Sequence, residues 1–285
     1  MFLMIGYVVI LASALGTYAI HGNLLSLWVP TEYVALIGLG IGSFIASNSL
    51  VNIKATIAAV PAALKGSKAG KAYFIDILAL LFELLSKVRK EGLMSIESDV
   101  ENPEGSAIFG KYPNILNDHH LMEFTCDYLR MMVGGNMNTL EVEALMDTEL
   151  EVHHHEALHP SHAVAQVGDG TPAFGIVVAV MGVVNVMGSV GQPPPVLGKM
   201  IGGALVGTFL GILISYGFVG PLASLMAQKA EADSVAFKLV KQVLLASMQG
   251  YAPQIAVEFG RKILGSHDRP GFLELEQELK ARKGK

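Results

Sequence analysis

Three polar side chains lie inside long apolar stretches of this sequence and are its first candidates for chemistry. Asn185 and Ser189 lie in the stretch 172–190, and Thr208 lies near the middle of the stretch 200–222. The Thr208 hydroxyl either donates a hydrogen bond to the carbonyl about four residues back or lines a polar path, because an unpaired hydroxyl is costly there. An amide cannot satisfy all its hydrogen bonds within its own helix, so Asn185 and Ser189 indicate such a path or a bond between two helices.

Two prolines flank these stretches. Pro172 follows Thr171, which is the pattern of a helix N-cap with proline at the first helical position. Pro221 lies inside an apolar run, where it removes one backbone donor and bends the helix. The sequence therefore predicts a helix start at Pro172, which suits a structural or a functional role, and a hinge at Pro221.

A dense charged patch follows a predicted amphipathic helix at 73–88. It consists of Arg89, Lys90, Glu91 and Glu97. A run of charges is usually a solvated surface. On an exposed corner it can equally dock an oppositely charged protein, because complementary charge favours encounter and register.

A group of histidines offers a possible metal site. Its members are His153, His154, His155, His159 and His162. The spacing of His155 and His159 would place both side chains on one face of a helix, where a transition metal could bind. A solvated segment is the simpler interpretation, and we expect no metal. The sequence has no P-loop, no GxSxG motif and no zinc-protease helix, so we expect neither an enzyme nor a cofactor.

Four apolar stretches must position these residues. They are 2–20, 33–51, 172–190 and 200–222, and none contains Lys, Arg, Asp or Glu. Each has close to the roughly 20 residues with which a helix crosses a bilayer, and lipid allows an isolated span only as a helix. The sequence predicts an all-α integral membrane protein whose spans carry no acid. A titrating carboxylate must then come from another chain.

The distribution of charge predicts the topology. Of the 20 lysine and arginine residues, only Lys199 lies in the connections 21–32 and 191–199. The positive-inside rule therefore places both termini in the cytoplasm, with two helical hairpins in the membrane. The first helix lacks a basic region before it, so we expect it to remain uncleaved. The net charge of −5, without a basic stripe, argues against nucleic acid.

The predicted domains follow from these spans. They are a first transmembrane hairpin at 1–51, a cytoplasmic helical domain at 52–170, a second hairpin at 171–222 and cytoplasmic C-terminal helices at 223–285. Helical periodicity outside the membrane recurs at 73–88, 119–132 and 140–155. We expect 238–245 to continue the fourth span into the cytoplasm and 271–282 to form a polar, charged helix. We expect a turn at 134–136 and little or no sheet.

Four segments carry a resemblance to a known family. They are RKEGLMSIESDVENP at 89–103, TPAFGIVVAVMGVV at 171–184, VGTFLGILISYGFVGPL at 206–222 and GYAPQIAVEFGRK at 250–262. In these segments and over nearly its whole length, the sequence resembles the flagellar motor stator A subunits, the MotA members of the MotA/TolQ/ExbB proton channels. The MotA subunits also have four spans in a two-plus-two arrangement.

The resemblance implies an ion-driven torque generator of the bacterial inner membrane. In it a homo-oligomer of A subunits, a pentamer, surrounds a dimer of MotB, whose single span carries the ion-accepting aspartate. It implies that Arg89 and Glu97 contact the rotor protein FliG, that Pro172 and Pro221 couple ion binding to cytoplasmic movement, and that Thr208 faces the channel. Lipid is the remaining partner. The long cytoplasmic block and the 250–262 tail resemble the proton-using branch, although hydroxyl and backbone oxygens suit protons or sodium.

Two other functions fit parts of the sequence. A force transducer of the TolQ or ExbB type shares the last two spans and likewise works with a partner chain, but it drives envelope proteins. It has three spans, whereas four are predicted here. A passive scaffold or metal-binding membrane protein built around the histidines is the alternative of another class.

Overall fold

A computed structural model describes residues 2–135 and 138–283 of the chain. Within these ranges the regular structure is helical, with no strand, as the sequence predicts. The α-helices, in chain order, are α1 (Phe2–His21), α2 (Pro30–Ser47), α3 (Leu50–Leu64), α4 (Lys71–Glu91), α5 (Glu97–Glu101), α6 (Pro113–Leu116), α7 (His119–Gly134), α8 (Thr139–Met187), α9 (Pro194–Ile214), α10 (Gly220–Met248), α11 (Pro253–Ile263) and α12 (Phe272–Lys283). A π-helical segment, Ser215–Val219, joins α9 to α10, and short 3-10 turns fill several connections.

Four helical runs are long and apolar enough to cross a membrane. They are Phe2–His21, Pro30–Ser47, Thr139–Met187 and Pro194–Met248. The four predicted spans are therefore confirmed, and their bounds are revised. The chain forms two units, one of Met1–Gly66 with Ala157–Lys229 and one of Ser67–Glu156 with Ala230–Lys285.

The second span differs from the predicted 33–51 at both ends. Its helix α2 begins with Pro30 at the first turn, so Glu32 lies inside the helix. It ends at Ser47, because Asn48 adopts an extended backbone and its amide donates to the Phe44 carbonyl at 2.9 Å. Ser49 then caps a new helix, α3. The expectation that the spanning helices carry no acid is thus wrong, because Glu32 belongs to one of them.

The predicted helix start at Pro172 is also wrong. Helix α8 runs without a break from Thr139 to Met187, with Pro160 and Pro172 inside it. Thr171 does not cap a helix, because its hydroxyl donates to the Val167 carbonyl at 2.6 Å. This bond satisfies the hydroxyl along the same helix and lets the chain continue through the proline.

In the first unit, α8 and α9 approach each other through glycines. A Cβ atom at Gly175 would lie 2.7 Å from the Gly207 carbonyl oxygen, and one at Gly211 would lie 2.9 Å from the Thr171 carbonyl oxygen. Small residues allow such close helix contacts in membranes. Nearby, Leu36 of α2 packs with residues of α9 in a small buried cluster.

The second unit has a large apolar core centred on α4. The predicted stripe at 73–88 is confirmed, because one face and much of the rest of α4 are buried. Helices α11 and α12 pack against it. A Cβ atom at Gly260 of α11 would lie 2.5 Å from a Val243 methyl carbon, which shows how closely α11 and α10 meet.

The remaining helical predictions agree with the structure. The patterns at 119–132 and 271–282 correspond to α7 and α12, and 238–245 lies within α10. The pattern at 140–155 is the first part of α8, which continues much further. In the predicted turn at 134–136, Gly135 has a φ of +73°, whereas Asn136 lies outside the described residues.

Candidate functional site

The predicted charged patch lies at one corner of the second unit. Helix α4 ends at Glu91, and the φ of +86° at the following Gly92 turns the chain toward α5. Arg89, Lys90, Glu91 and Glu97 are all exposed. Within the described part of the chain, none of these four forms a hydrogen bond or an ion pair with another residue. The corner therefore presents charges of both signs to solvent.

The side chains around this corner are paired. Asp99 accepts from Lys87 at 2.7 Å and from the Ser106 hydroxyl at 2.6 Å. Glu83 accepts from Lys111 at 2.9 Å and from the Tyr112 hydroxyl at 2.8 Å.

Burial raises the pKa of Tyr112 above its usual range, and the hydrogen bond to Glu83 adds to this. Its hydroxyl therefore stays protonated and donates at neutral pH. These hydrogen bonds and ion pairs hold in place the part of the second unit that carries the four exposed charges.

Thr208 lies on α9 beside the glycine contact with α8. It is half-buried, and its hydroxyl has no hydrogen-bond partner among the described residues. Other hydroxyls of these helices donate to a carbonyl four residues back, as Thr171 does at 2.6 Å. Of the two alternatives for Thr208, the local hydrogen bond is thus absent from the structure, and the hydroxyl is available to another group.

The same part of α8 and α9 leaves apolar side chains uncovered. On α9 and the segment after it, the exposed ones are Ile201, Leu205, Phe209, Ile212 and Tyr216. On α8 they are Ile176, Val177, Val180, Met181, Val183, Val184 and Met187. An apolar face of this extent needs lipid or a partner to cover it.

Asn185 and Ser189 lie near the end of α8. The Ser189 hydroxyl donates to the Asn185 carbonyl at 3.4 Å, so the structure gives it a local bond. Asn185 is exposed and lines a cavity of about 580 Å³ together with the ends of α2 and α9. Thr208 does not line this cavity, so the structure does not bring Asn185 and Thr208 into one site.

The hinge predicted at Pro221 coincides with an irregular stretch of helix. The π-helical segment Ser215–Val219 ends two residues before Pro221. Such segments occur frequently at functional sites, and their backbone hydrogen bonds span five residues instead of four. The Tyr7 hydroxyl of α1 donates to the Phe218 carbonyl inside the segment at 2.7 Å. Pro172, in contrast, lies within regular α-helix.

The histidines are partly packed rather than simply solvated. The His153 ring lies 4.2 Å from the Phe237 ring and 6.1 Å from the His120 ring, measured between centroids. Nε2 of His155 lies 4.0 Å from Oε1 of Glu151. In the described ranges no group of three or more His, Cys, Asp or Glu could hold a metal ion.

Glu32 is the polar residue that sequence reasoning missed. It is buried in the first turn of α2, and its Oε2 has no hydrogen-bond partner in the described structure. The sequence pattern started this span at Tyr33, immediately after the acid. The signal that could have found it is Pro30, because proline favours the first position of a helix and so brings Glu32 inside.

Comparisons with known proteins agree with the resemblance in the sequence. The profile described as "Motility protein A N-terminal" matches residues 4–92, and the "MotA/TolQ/ExbB proton channel family" matches residues 117–238. The chain is 49% identical to Motility protein A of Escherichia coli over 99% of its length and 96% of that protein. It is 34% identical to chemotaxis protein LafT of Vibrio parahaemolyticus over 98% of the chain and 99% of the relative.

Two solved structures share the fold. The C. jejuni MotAB structure superposes with a TM-score of 0.77 at 19% identity, covering 94% of this chain and 98% of that one. The flagellar MotAB stator complex from Bacillus subtilis gives 0.69 at 20% identity, covering 98% of each chain. At this identity the likeness concerns the fold.

Proposed function

The chain belongs to the motility protein A family of MotA/TolQ/ExbB proton channels, and from this premise we propose which surfaces conduct the ion and transmit the force. It is a multi-pass inner-membrane protein and a stator subunit of the bacterial flagellar motor, not an enzyme. The N-terminal match over residues 4–92 and the four spans favour this function over a TolQ or ExbB transducer. The observation that carries it is the identity of 49% over 99% of the chain.

The proposed partner is MotB, which binds the uncovered apolar face of α8 and α9. Exposed Leu205 and Phe209 on α9, and Val180 and Val184 on α8, would pack against its single span. The unpartnered Thr208 hydroxyl would then face the partner's ion-accepting aspartate. The two related structures contain MotA and MotB together, which supports this pairing. A pentamer of this chain around a MotB dimer is the proposed assembly.

The proposed energy source is the neutralisation of the partner's carboxylate. Moving one charge through the membrane potential supplies about 2.3 kcal/mol per 100 mV. Taking an ionised carboxylate out of water costs several kcal/mol, so adding a proton changes which surroundings it prefers. The packing of MotB against α8 and α9 would change accordingly. The π-helical segment before Pro221 is where we expect α9 to bend relative to α10.

Rotor contact is proposed for the charged corner. The four exposed charges Arg89, Lys90, Glu91 and Glu97 have no described partner in the chain, whereas the charges beside them are paired. Unpaired charges of both signs suit a transient contact that must form and break quickly. We propose that they meet complementary charges on FliG.

Orientation follows from the basic residues. We propose that both termini, with the domains 52–170 and 223–285, lie in the cytoplasm and that the hairpins 1–51 and 171–222 lie in the membrane. The support is the single lysine, Lys199, in the two short connections. A cysteine introduced at Gln192 should react with an impermeant thiol reagent added outside cells, and one introduced at Glu104 should not.

A complementation experiment tests the function. A non-swimming strain that lacks its own A and B subunits receives this chain together with the MotB that its host produces. We expect swimming that a protonophore stops and sodium depletion does not. Loss of swimming on sodium depletion, with the protonophore harmless, would contradict the proton channel. A correctly assembled complex that produces no rotation would contradict the stator role.

A further inference from the structure

A recess between three helices of the first unit holds the carboxyl group of Glu32. The residue lies in the first turn of α2 and is 9% exposed. A Cβ atom at Gly207 of α9 would lie 3.0 Å from Oε2, and one at Gly182 of α8 would lie 3.7 Å from Oε1. The missing side chain of Gly207 thus leaves the space that Oε2 occupies, whereas a Cβ atom at Gly182 would only touch Oε1 at an ordinary van der Waals distance.

Among the described residues, the recess offers Oε2 of this carboxyl group neither a hydrogen-bond donor nor a basic side chain. Oε2 has no hydrogen-bond partner in the described structure, and no described lysine, arginine or histidine forms an ion pair with Glu32. An ionised carboxylate buried without a partner is costly, and intramembrane acids that persist are typically functional. A bound proton removes this cost, because it neutralises the charge and converts one oxygen into a donor.

A cavity of about 580 Å³ connects Glu32 to the end of the helices where the short connections lie. Its lining includes Tyr18, Trp28, Asn185 and Lys199 as well as Glu32 itself. A water molecule occupies about 30 Å³ in the liquid, so the cavity has room for several. By the proposed topology this end faces outward. The carboxyl group therefore adjoins a cavity with room for water on the side from which protons enter.

On its inner side Glu32 lies next to the proposed channel face. Gly207, whose missing side chain makes room for Oε2, immediately precedes Thr208 on α9. Adjacent residues of a helix point in directions about 100° apart, so one short segment of α9 meets both the recess and the face that carries the Thr208 hydroxyl.

We propose that Glu32 is a proton-holding site of this chain, which receives protons through the cavity and passes them toward the partner's aspartate. This rests on the proposed function. In the transfer, the carboxyl O–H bond breaks, the proton moves to a water molecule and then to the acceptor carboxylate, and Glu32 takes a new proton from the cavity. The transfer involves no change of redox state.

Proton flux into liposomes that contain the chain with MotB tests this proposal. E32Q keeps the shape of the side chain but cannot titrate, and we expect flux to fall by about a hundredfold or more, within the range of about 10²–10⁴-fold that positioned acids and bases contribute. E32D should retain most of the flux. The matched control is E104Q, which makes the same change at an exposed carboxylate outside the spans. Wild-type flux in E32Q would overturn the proposal.

Infrared difference spectroscopy on the same complexes separates a proton site from a packing role. A band of a protonated carboxyl that responds to external pH should be present in the wild type and E104Q, shifted in E32D, and absent in E32Q. A fall in flux without loss of such a band would overturn the proposal. E32D provides the same test if E32Q does not assemble. If the wild-type complex conducts no protons, the channel function fails, whereas the band still reports on Glu32.

Discussion

The two units of the chain obtain their stability in different ways. The second unit surrounds α4 with a large core, in which Leu78, Leu81 and Leu84 are completely buried. The first unit buries a small cluster around Leu36 and leaves most of its apolar side chains exposed. Burial of apolar surface from water stabilises the second unit, whereas the helices of the first need lipid or a partner on their outer faces. The difference predicts where a substitution destabilises the chain and where it prevents assembly.

Polar groups follow the same division. In the second unit the buried Asp99 is paired with Lys87, whereas Arg89, which has no partner among the described residues, is exposed. In the first unit Glu32 is buried, and neither its Oε2 nor the Thr208 hydroxyl has a hydrogen-bond partner among the described residues. The groups proposed to function in the first unit are therefore those that packing leaves without a partner. Those proposed in the second unit are charges exposed to solvent.

The largest effect on stability is expected from the core of the second unit. L81A removes a side chain that is 0% exposed and leaves a cavity, at a cost of about 2–5 kcal/mol. The matched variant L205A changes a side chain on α9 that is 59% exposed. We expect L81A to lower the temperature of unfolding in detergent and L205A to leave it unchanged while weakening MotB retention. Equal destabilisation by both would remove the distinction between the units.

The next largest loss of stability is expected from substitutions where α8 packs closely against α9. G175A places a Cβ atom 2.7 Å from a backbone oxygen of Gly207, so the helices must separate, at a cost of about 1–3 kcal/mol. G38A on α2 is the matched control, because a Cβ atom there meets nothing within 4 Å. We expect G175A to abolish swimming and G38A to preserve it. Copurification of MotB with each variant would show whether assembly is the step that fails.

The charged corner should affect rotation without affecting stability. Reversing both charges, R89E with E97K, changes exposed residues without described partners, so the free energy of unfolding should shift by no more than about 0.5 kcal/mol. We expect rotation to be lost while proton flux through the complex persists. K87E is the contrast, because it breaks the ion pair with Asp99 and should destabilise the unit. Normal torque in the double variant would refute the rotor contact.

The smallest expected effect is a change in the rate at which the Cys126 thiol reacts. Burial raises the pKa of its thiol to about 11, and the nearby Arg130 only partly offsets this. Since the thiolate is the reactive form, the folded protein should react slowly with maleimide at pH 7 and faster after unfolding. Rapid labelling of the folded chain would show that the second unit opens readily.

Much of the architecture could be predicted from the sequence, because its strongest signals are local. The apolar stretches predicted all four spans, and the period of α4 predicted its buried face. The ends of helices could not be predicted where a side chain can form either of two hydrogen bonds. Thr171 could cap a helix or bond back along it, and the second choice makes α8 a single helix of 49 residues.

The candidate site was predicted in part, for a similar reason. Exposed charges such as Arg89 are visible in sequence as a run, and polar residues such as Asn185 and Thr208 are visible against an apolar background. Glu32 was missed because its burial involves Gly207, which is distant in sequence and meets it only in the fold. The packing of His153 on Phe237 is likewise a long-range contact that no local pattern reports.

Reconstitution of the purified chain into liposomes, alone and together with MotB, tests the central claim most directly. In the proposed function, MotB covers the apolar face of α8 and α9 and supplies the ion-accepting aspartate near the Thr208 hydroxyl, which has no hydrogen-bond partner among the described residues. We therefore predict proton uptake under an imposed membrane potential when both chains are present, and none with this chain alone. Full proton uptake by this chain alone would contradict the account.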